Sequence, residues 1–323
     1  MPLGGHIIEL RRSVVERTPR LWAVWAASRP SQLLLIGLLY LLGIGMAVAG
    51  GWFGTGDVSW SGVTDSVTTL LSGGIVLLVV SMTIHYANEY ADFDTDRLAD
   101  RTPFSGGSGA LVVTGLPVSF LKMVTVVSFV LSLGLIGLLT TISLLHLEMV
   151  VIALFGLVLG VAYSLPPTQF IRRGVGEVIN LTLGGILVPL YGFATLATPN
   201  FYALLVLVPF SLIVGCNLLA VHWPDRSPDR TVGKRTLAVT LQPRELRRLY
   251  AVIAIVAIAV AVGMWVAGTL PISVLGAHLL VIPLLIWGWH TLTRWHNPFP
   301  SVAAMVSLAI GMTIAWWGVA LGI

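Results

Sequence analysis

The stretch from Phe201 to Val221 reads FYALLVLVPFSLIVGCNLLAV. It contains no charged residue, and its apolar residues run on continuously instead of alternating with polar ones. A helix needs about 20 predominantly apolar residues to cross the hydrocarbon core of a bilayer. The stretch therefore predicts a transmembrane helix, and most of the chain around it has the same character.

The chain of 323 residues is 56% hydrophobic and only 10% charged, whereas soluble domains carry about 25% charged residues. Continuous apolar runs argue against a membrane β-barrel, whose strands alternate apolar and polar residues. The predicted fold is an all-α integral membrane protein with nine transmembrane helices. The other eight predicted helices are Leu33–Ala49, Val67–Ala87, Met123–Leu139, Met149–Leu165, Val175–Leu196, Leu249–Ala267, Val274–Trp289 and Val302–Leu321.

The positions of the lysines and arginines predict the orientation of these helices. With nine helices, all 18 fall before the first helix or in alternate loops, so all lie on one side of the bilayer. Lysine and arginine are retained on the cytoplasmic side, which predicts a cytoplasmic N-terminus and an external C-terminus in a plasma-membrane protein. The net charge of +4 is spread over loops next to the membrane, where anionic lipid attracts cations. Nucleic-acid binding is therefore not expected.

Three further features concern the N-terminal segment, the number of domains and the cysteine content. Residues 1–28 are expected to lie in the membrane interface, because Ile7–Trp25 mixes apolar side chains with Glu and Arg as an amphipathic helix does. No linker or composition shift divides the remainder, so a single domain over residues 1–323 is expected. Cys216 is the only cysteine, which leaves no disulfide framework and no CxxC metal site.

An acidic motif follows the second predicted helix. It reads His85-Tyr-Ala-Asn-Glu-Tyr-Ala-Asp-Phe-Asp-Thr-Asp96. Within it Asn88, Asp92 and Asp96 are spaced four residues apart, which places their side chains on one face if the helix continues.

A second acidic motif follows the sixth predicted helix and repeats this spacing. It reads His222-Trp-Pro-Asp-Arg-Ser-Pro-Asp229, so Asp225 and Asp229 are again four residues apart. Pro228 indicates a position near a helix end, because proline removes a backbone donor. Both motifs are predicted to lie on the cytoplasmic side.

Carboxylates converging on one cavity repel each other unless a cation lies between them. A set rich in carboxylates suits Mg²⁺, with Mn²⁺ as an alternative, and does not suit Zn²⁺. His85 and His222 are expected to be interface or hydrogen-bonding residues. The competing interpretation is that the acids are solvated loop charges neutralised by nearby arginines, and it is weakened by the shared sidedness and spacing of the two motifs.

These residues resemble the UbiA-type intramembrane prenyltransferases, which transfer an isoprenoid chain from its diphosphate to an acceptor. The resemblance covers the whole chain: nine helices, the two acidic motifs, the pair Arg29-Pro30 entering helix 1, and Tyr163-Ser-Leu-Pro-Pro167 ending helix 4. It implies a helical bundle with a central cavity, and a polyprenyl diphosphate and an aromatic acceptor as substrates.

The resemblance also implies roles for individual residues. A metal-binding and catalytic set consists of Asp92, Asp96, Asp225 and Asp229, with Asn88 as a further ligand. A set that binds the diphosphate substrate consists of Asn88, Arg29, Arg172, Lys234 and Tyr163. Tyr163 and Tyr90 are candidates for shielding the allylic cation, although tyrosines at helix ends also serve as interface anchors.

Two stretches resemble the branch of the family that prenylates dihydroxynaphthoate in menaquinone biosynthesis. They are Arg173-Gly-Val-Gly-Glu177 and Gly233-Lys-Arg-Thr-Leu-Ala238. The resemblance implies that Glu177 orients an acceptor hydroxyl as a catalytic group, and the alternative is an acid favoured at a helix N-terminus. The chain departs from that branch at Asn88-Glu89, where Asn-Asp is usual, and at Val221–Pro224, where an Asn-x-Arg approach is usual.

Two other functions remain open on the sequence. The first is other chemistry on a lipid diphosphate, such as prenylation of a non-aromatic lipid acceptor. The second is an ion-coupled transporter whose acids select a cation. The clustering of the acids at one face argues against transport, because a transport pathway places ionisable groups near the middle of the membrane.

Overall fold

The computed structural model describes residues 15–56 and 60–323. The first half of the predicted interfacial segment, up to residue 14, lies outside the described residues. Its second half contains a helix, Pro19–Ala27, which begins with a proline in its first turn and buries Trp22, Ala23 and Ala27.

Across the described ranges there are nine helices long and apolar enough to cross a membrane. The predicted all-α membrane fold is thereby confirmed. They are labelled here α1 Pro30–Val48, α2 Val67–Ala91, α3 Val118–Thr141, α4 Leu147–Ser164, α5 Gly176–Phe193, α6 Phe201–Thr231, α7 Pro243–Val266, α8 Ile272–Thr291 and α9 Phe299–Leu321.

Local sequence signals set where several of these helices begin. Pro30 opens α1, where a missing N–H costs nothing. The side chain of Asn200 accepts a hydrogen bond from Ala203 N at the start of α6. At α7, Gln242 and Glu245 form a reciprocal capping box, and Pro243 occupies the first turn.

The largest difference from the predicted boundaries is at α6. The apolar run ends at Val221, but the helix continues to Thr231 with Pro224 and Pro228 inside it. Both prolines are buried, and the second motif therefore lies on the last turns of a transmembrane helix. Apolar periodicity alone misses this extension, because the added turns are polar.

The backbones of α1 and α5 approach each other closely because glycines lie between them. A Cβ on Gly43 would lie 1.9 Å from Pro189 O, and one on Gly192 would lie 2.2 Å from Tyr40 O. Small residues allow such close contact between helices in a bilayer, where packing drives association. Side chains such as Val130 on α3 and Ile255 on α7 remain exposed, as expected of surfaces that face lipid.

A cavity of about 1130 Å³ lies among α1, α2, α4, α5, α6 and α9. Its polar end is lined by the acidic motifs, and its remaining walls are apolar, including Leu38, Ile152, Leu187 and Phe210. This is the central cavity that the resemblance implies. The bundle therefore joins a charged mouth to an apolar chamber inside the membrane span.

Candidate active site

The first motif continues the helical geometry of α2 past its end. Asp92 N donates to Asn88 O and Asp96 N donates to Asp92 O, each at 2.9 Å. As predicted, Asn88, Asp92 and Asp96 line one side of the cavity. Asp94 is exposed to solvent instead.

The amide of Asn88 joins the first motif to the end of α4. It lies 3.0 Å from Ser164 Oγ, and the orientation that satisfies its neighbours has the amide NH₂ donating to Asp92 Oδ2 at 3.1 Å. In that orientation the carbonyl oxygen accepts from Arg29 Nη2. Asn88 on α2 thus contacts Ser164 on α4 and holds the Asp92 carboxylate in place.

The second motif presents two carboxylates from the last turns of α6 to the same cavity. Asp229 is only 3% exposed, and both Asp225 and Asp229 line the cavity. Asp225 Oδ1 is buried without a hydrogen-bond partner among the described residues. An ionised oxygen left in that condition is costly unless a cation or a hydrogen-bond donor compensates it.

Lys234 connects the two motifs directly. Its Nζ lies 2.9 Å from Asp92 Oδ1 and 3.2 Å from Asp229 Oδ1. Gly233, at φ +79°, turns the chain back after α6, and Lys234 N donates to Asp229 O at 3.0 Å. Burial by itself lowers the pKa of Lys234, but attraction by Asp92 and Asp229 outweighs it and raises the pKa above the ordinary value.

A glycine-rich loop, Ser105-Gly-Gly-Ser-Gly109, lies at the mouth and contacts both motifs. Gly106 N donates to Asp225 Oδ2 at 3.2 Å, and Ser108 N donates to Glu89 Oε1 at 2.9 Å. A Cβ on Gly107 would lie 1.8 Å from Asp96 Oδ2. The loop backbone can approach the carboxylates this closely only because residue 107 has no side chain.

Glu89 is the main residue of the site that the sequence analysis did not assign. It is 4% exposed and forms a salt bridge with Arg29 at 2.6 Å as well as the bonds from Ser108. The departure from the usual Asn-Asp pair thus places a longer carboxylate where it ties α1 to the loop. The sequence did offer one indication of this role. Glu89 is one residue after Asn88, so on a helix its side chain points away from the face shared by Asn88, Asp92 and Asp96.

Arg29 faces the cavity but is already engaged. It adopts a left-handed conformation with φ 54°, which is strained for a residue with a side chain. Burial lowers the pKa of the guanidinium, and the salt bridge with Glu89 more than reverses this, so the pKa is raised. Arg29 therefore stays charged at the mouth, held by Glu89.

Asp96 has the most perturbed carboxylate outside the membrane-spanning segments. Burial raises its pKa, with repulsion from Asp92 and Glu89 added, to about 7. Asp96 can therefore hold a proton near neutral pH, where an ordinary aspartate is ionised.

The carboxylates of the two motifs suit a hard divalent cation, but they do not form a complete metal site by themselves. Among residues 15–56 and 60–323, no three His, Cys, Asp or Glu side chains form a group that could hold a metal ion by themselves. Mg²⁺ needs only one or two carboxylates, since water and phosphate oxygens complete its octahedron. The paired motifs and the unpartnered Asp225 Oδ1 suit such an ion bound together with a phosphorylated substrate.

Glu177 lies outside the cavity wall. Its Oε1 accepts from Leu237 N at 2.7 Å and lies 3.2 Å from His222 Nδ1, and His222 lines the cavity. Glu177 therefore does not contact the chamber in which an acceptor would lie. It positions the segment after α6 that carries Lys234. This role differs from the acceptor-orienting role implied by the resemblance.

The remaining predicted residues divide between the cavity and the surface. Tyr163 lines the cavity, whereas Tyr90 packs with the helix Pro19–Ala27 in a separate apolar cluster. Arg172 is exposed and does not line the cavity. His85 lines it with Nδ1 2.7 Å from Ser28 O, a hydrogen-bonding role as expected.

Comparisons with known proteins agree with this architecture. Two structures of a UbiA homologue from Archaeoglobus fulgidus are similar to the chain, each at 16% identity. The one bound to GPP and Mg²⁺ has a TM-score of 0.66 and covers 93% of this chain and 99% of its own. The one bound to DMAPP and Mg²⁺ has a TM-score of 0.65 and covers 91% of this chain and 99% of its own.

A structure described as addressing digeranylgeranylglyceryl phosphate synthase is also similar, with 15% identity and a TM-score of 0.60 over 94% of this chain and 99% of its own. No curated protein sequence matches the chain. The model of the UbiA prenyltransferase family matches residues 44–309, from α1 into α9. The chain is a multi-pass membrane protein that belongs to the UbiA prenyltransferase family.

Proposed function

We propose that this protein transfers a polyprenyl chain from its diphosphate to an aromatic acceptor of the dihydroxynaphthoate type, with Mg²⁺ as cofactor and Mn²⁺ as a substitute. One observation carries the proposal: Lys234 joins Asp92 of the first motif to Asp229 of the second at the mouth of an apolar chamber. Two acidic motifs and a buried ammonium at the entrance to an apolar cavity suit a substrate with a charged head and an apolar tail.

The charged end of the site matches a diphosphate. Asp92, Asp96, Asp225 and Asp229 are the residues that would hold Mg²⁺, which when bound neutralises charge developing on the diphosphate as it departs. The ammonium of Lys234 and the guanidinium of Arg29 add positive charge at the same mouth. Stabilising a leaving group in this way is the largest contribution to be expected from such a site.

The apolar part of the cavity matches the rest of the reaction. Its volume of about 1130 Å³ exceeds the roughly 300–1,000 Å³ of a site for one small ligand, which leaves room for an isoprenoid chain and an acceptor together. Its apolar walls would keep water from an allylic cation, and Tyr163, which lines the cavity, is a candidate to stabilise positive charge through its ring.

The naphthoate-type acceptor is supported by the two stretches that resemble the menaquinone branch. The two stretches also contact each other, because Glu177 in the first stretch accepts a hydrogen bond from Leu237 N in the second. That contact orients the segment containing Lys234. The two stretches thus act on the charged end of the site, and the acceptor class rests on the resemblance.

The proposed orientation places the site at the cytoplasmic face. The motifs share one end of the bundle, since Gly106 and Lys234 contact both sides of the mouth. The excess of lysine and arginine at that end supports a cytoplasmic location. Both substrates would then enter from the cytoplasm or the inner leaflet.

The deciding experiment is a product analysis. Purified protein in lipid nanodiscs is given Mg²⁺, a polyprenyl diphosphate and, separately, dihydroxynaphthoate, hydroxybenzoate or a glyceryl phosphate ether, and the products are identified by mass spectrometry. Prenylated naphthoate is the expected product. Product from either other acceptor with dihydroxynaphthoate untouched would contradict the acceptor class, and the absence of any prenylated product would contradict the transfer reaction.

A further inference from the structure

Deep in the cavity lies a polar side chain that neither the metal nor the diphosphate would contact. Asn217 lies on α6, eight residues before Asp225, so its side chain is about 12 Å deeper along the helix. It is 8% exposed and lines the cavity, and its Oδ1 has no hydrogen-bond partner within the described part of the chain. A carboxamide left unpaired inside a membrane span is costly unless a ligand satisfies it.

A second carboxamide faces the cavity from the neighbouring helix. Asn180 lies on α5 and also lines the cavity. Two contacts set the antiparallel register of α5 against α6. Glu177 meets His222, and the Leu181 side chain lies 3.7 Å from where a Cβ on Gly215 would be. Interpolating between these contacts places Asn180 level with Asn217.

The donor substrate does not require these amides. Its charged head is bound at the mouth by the two motifs and Lys234, and its isoprenoid tail has no group that can form a hydrogen bond. Between the mouth and the amides, α6 presents Val221 to the cavity. The substrate with polar groups to place inside the chamber is therefore the acceptor.

We infer that Asn217 and Asn180 form an acceptor subsite, in which the two carboxamides hydrogen-bond a ring hydroxyl and thereby select acceptors that carry one. This inference rests on the proposed function. An amide offers both a donor and an acceptor, so the pair can satisfy both the proton and the lone pairs of a hydroxyl. A site built to bond a hydroxyl discriminates strongly against an analogue without it, because its own polar groups are then left unpaired.

The test combines variants with truncated acceptors. The value of kcat/KM is measured for dihydroxynaphthoate and for its two monohydroxy analogues, using wild type, Asn217→Leu, Asn217→Ser and Asn180→Leu. Thr313→Val is the control, because it removes a buried hydroxyl that bonds within α9 and does not line the cavity. The KM for the polyprenyl diphosphate is measured in parallel and is expected to stay unchanged.

In wild type, loss of the recognised hydroxyl should lower kcat/KM by about tenfold or more. In Asn217→Leu the value for dihydroxynaphthoate should already be lowered by this amount, and removal of the same hydroxyl should cost correspondingly less than it does in wild type. Asn217→Ser should retain part of the discrimination, and Thr313→Val all of it. This non-additivity is what a direct contact produces.

Equal discrimination in wild type and in both Asn217 variants would overturn the subsite while leaving the proposed function intact. A parallel rise in the KM for the polyprenyl diphosphate would also overturn it, by showing a general disturbance of the cavity. Failure of wild type to prenylate any naphthoate would instead overturn the proposed acceptor class, and the subsite with it.

Discussion

At the scale of single residues, the site depends on balancing charges that are largely buried. Lys234 lies between Asp92 and Asp229, so one ammonium offsets carboxylates from both motifs. Glu89 and Arg29 form a separate pair beside them. Within the described part of the chain Asp96 and Asp225 form no salt bridge, so in the proposed function they are the carboxylates best placed to recruit a metal.

The first prediction is that Asp92→Asn and Asp225→Asn each lower prenyl transfer by at least about 100-fold while the protein remains folded. Each change removes one negative charge from the proposed metal site, and losses of this size are typical when an electrostatic contact to a leaving group is lost. The measurement is product formation at saturating Mg²⁺, with thermal unfolding recorded alongside.

Asp94→Asn is the matched control, because Asp94 belongs to the same motif but is exposed. It should retain activity within about twofold, since exposed charges contribute little. Full turnover by Asp92→Asn, or full turnover of wild type in excess chelator, would rule out the metal site.

The second prediction concerns pH and follows from the pKa of Asp96, raised to about 7. A folded-state pKa above the unfolded value means that the folded protein binds the proton more tightly. Stability of the metal-free protein should therefore fall as the pH rises from about 4, near the unfolded pKa, through about 7, and then level off. Thermal unfolding in chelator measures this, and Asp96→Asn should flatten the profile.

Proton and metal compete for the same carboxylate. Below about pH 7 the Mg²⁺ concentration for half-maximal activity should rise, approaching about tenfold per pH unit. A requirement for Mg²⁺ that is constant from about pH 5 to about pH 8 would show that Asp96 is not a ligand.

At the scale of elements, the glycine-rich loop contacts the acidic residues through its own backbone and not through helix packing. It reaches Asp225 through Gly106 N and Glu89 through Ser108. Gly107 combines a φ of +68° with direct contact against Asp96. The loop is therefore sensitive to one added methyl group for two separable reasons.

The third prediction is that Gly107→Ala lowers activity by at least about tenfold and raises the Mg²⁺ requirement. An alanine there is strained by about 1–2 kcal/mol for its backbone conformation, and its Cβ would also collide with Asp96. Activity as a function of Mg²⁺ and thermal unfolding are the measurements.

Gly115→Ala separates the two effects. Gly115 has nearly the same φ, +67°, but open space where a Cβ would lie. It should lose a similar amount of stability while keeping the wild-type Mg²⁺ requirement. Equal changes in the Mg²⁺ requirement of both variants would contradict a specific contact between the loop and Asp96.

At the scale of the whole molecule, the bundle brings two motifs more than 130 residues apart in sequence to one mouth, since Asp92 and Asp229 share Lys234. This end of the bundle is the one predicted to face the cytoplasm. The fourth prediction tests that orientation with single cysteines introduced at Ser227 and Thr198, both exposed.

In sealed cells, an impermeant thiol reagent should label a cysteine at Thr198 from outside and leave one at Ser227 unlabelled until the membrane is opened. Cys216 is 1% exposed and gives little background. External labelling at Ser227 would reverse the orientation. Asp57, in another external loop expected from the sequence, lies outside the described residues, so Thr198 is the better position.

The sequence by itself determined the helical membrane fold, the nine spans and the pairing of the acidic motifs. These follow from composition, from run length and from a spacing of four residues, all of which act locally along the chain. Helix ends were harder to predict from the sequence. The extension of α6 to Thr231 is stabilised by burial of polar turns at the mouth and not by apolar periodicity.

Only the tertiary structure decided the roles of residues whose chemistry depends on distant partners. In sequence Glu89 is only a departure from the usual Asn-Asp pair, but in the structure it forms a salt bridge with Arg29 and accepts hydrogen bonds from Ser108. Glu177 turns its carboxylate to Leu237 and His222, and Arg172 stays exposed outside the cavity. The physical reason is that a buried charge is defined by what neutralises it, and its partners come from segments 19 to 60 residues away.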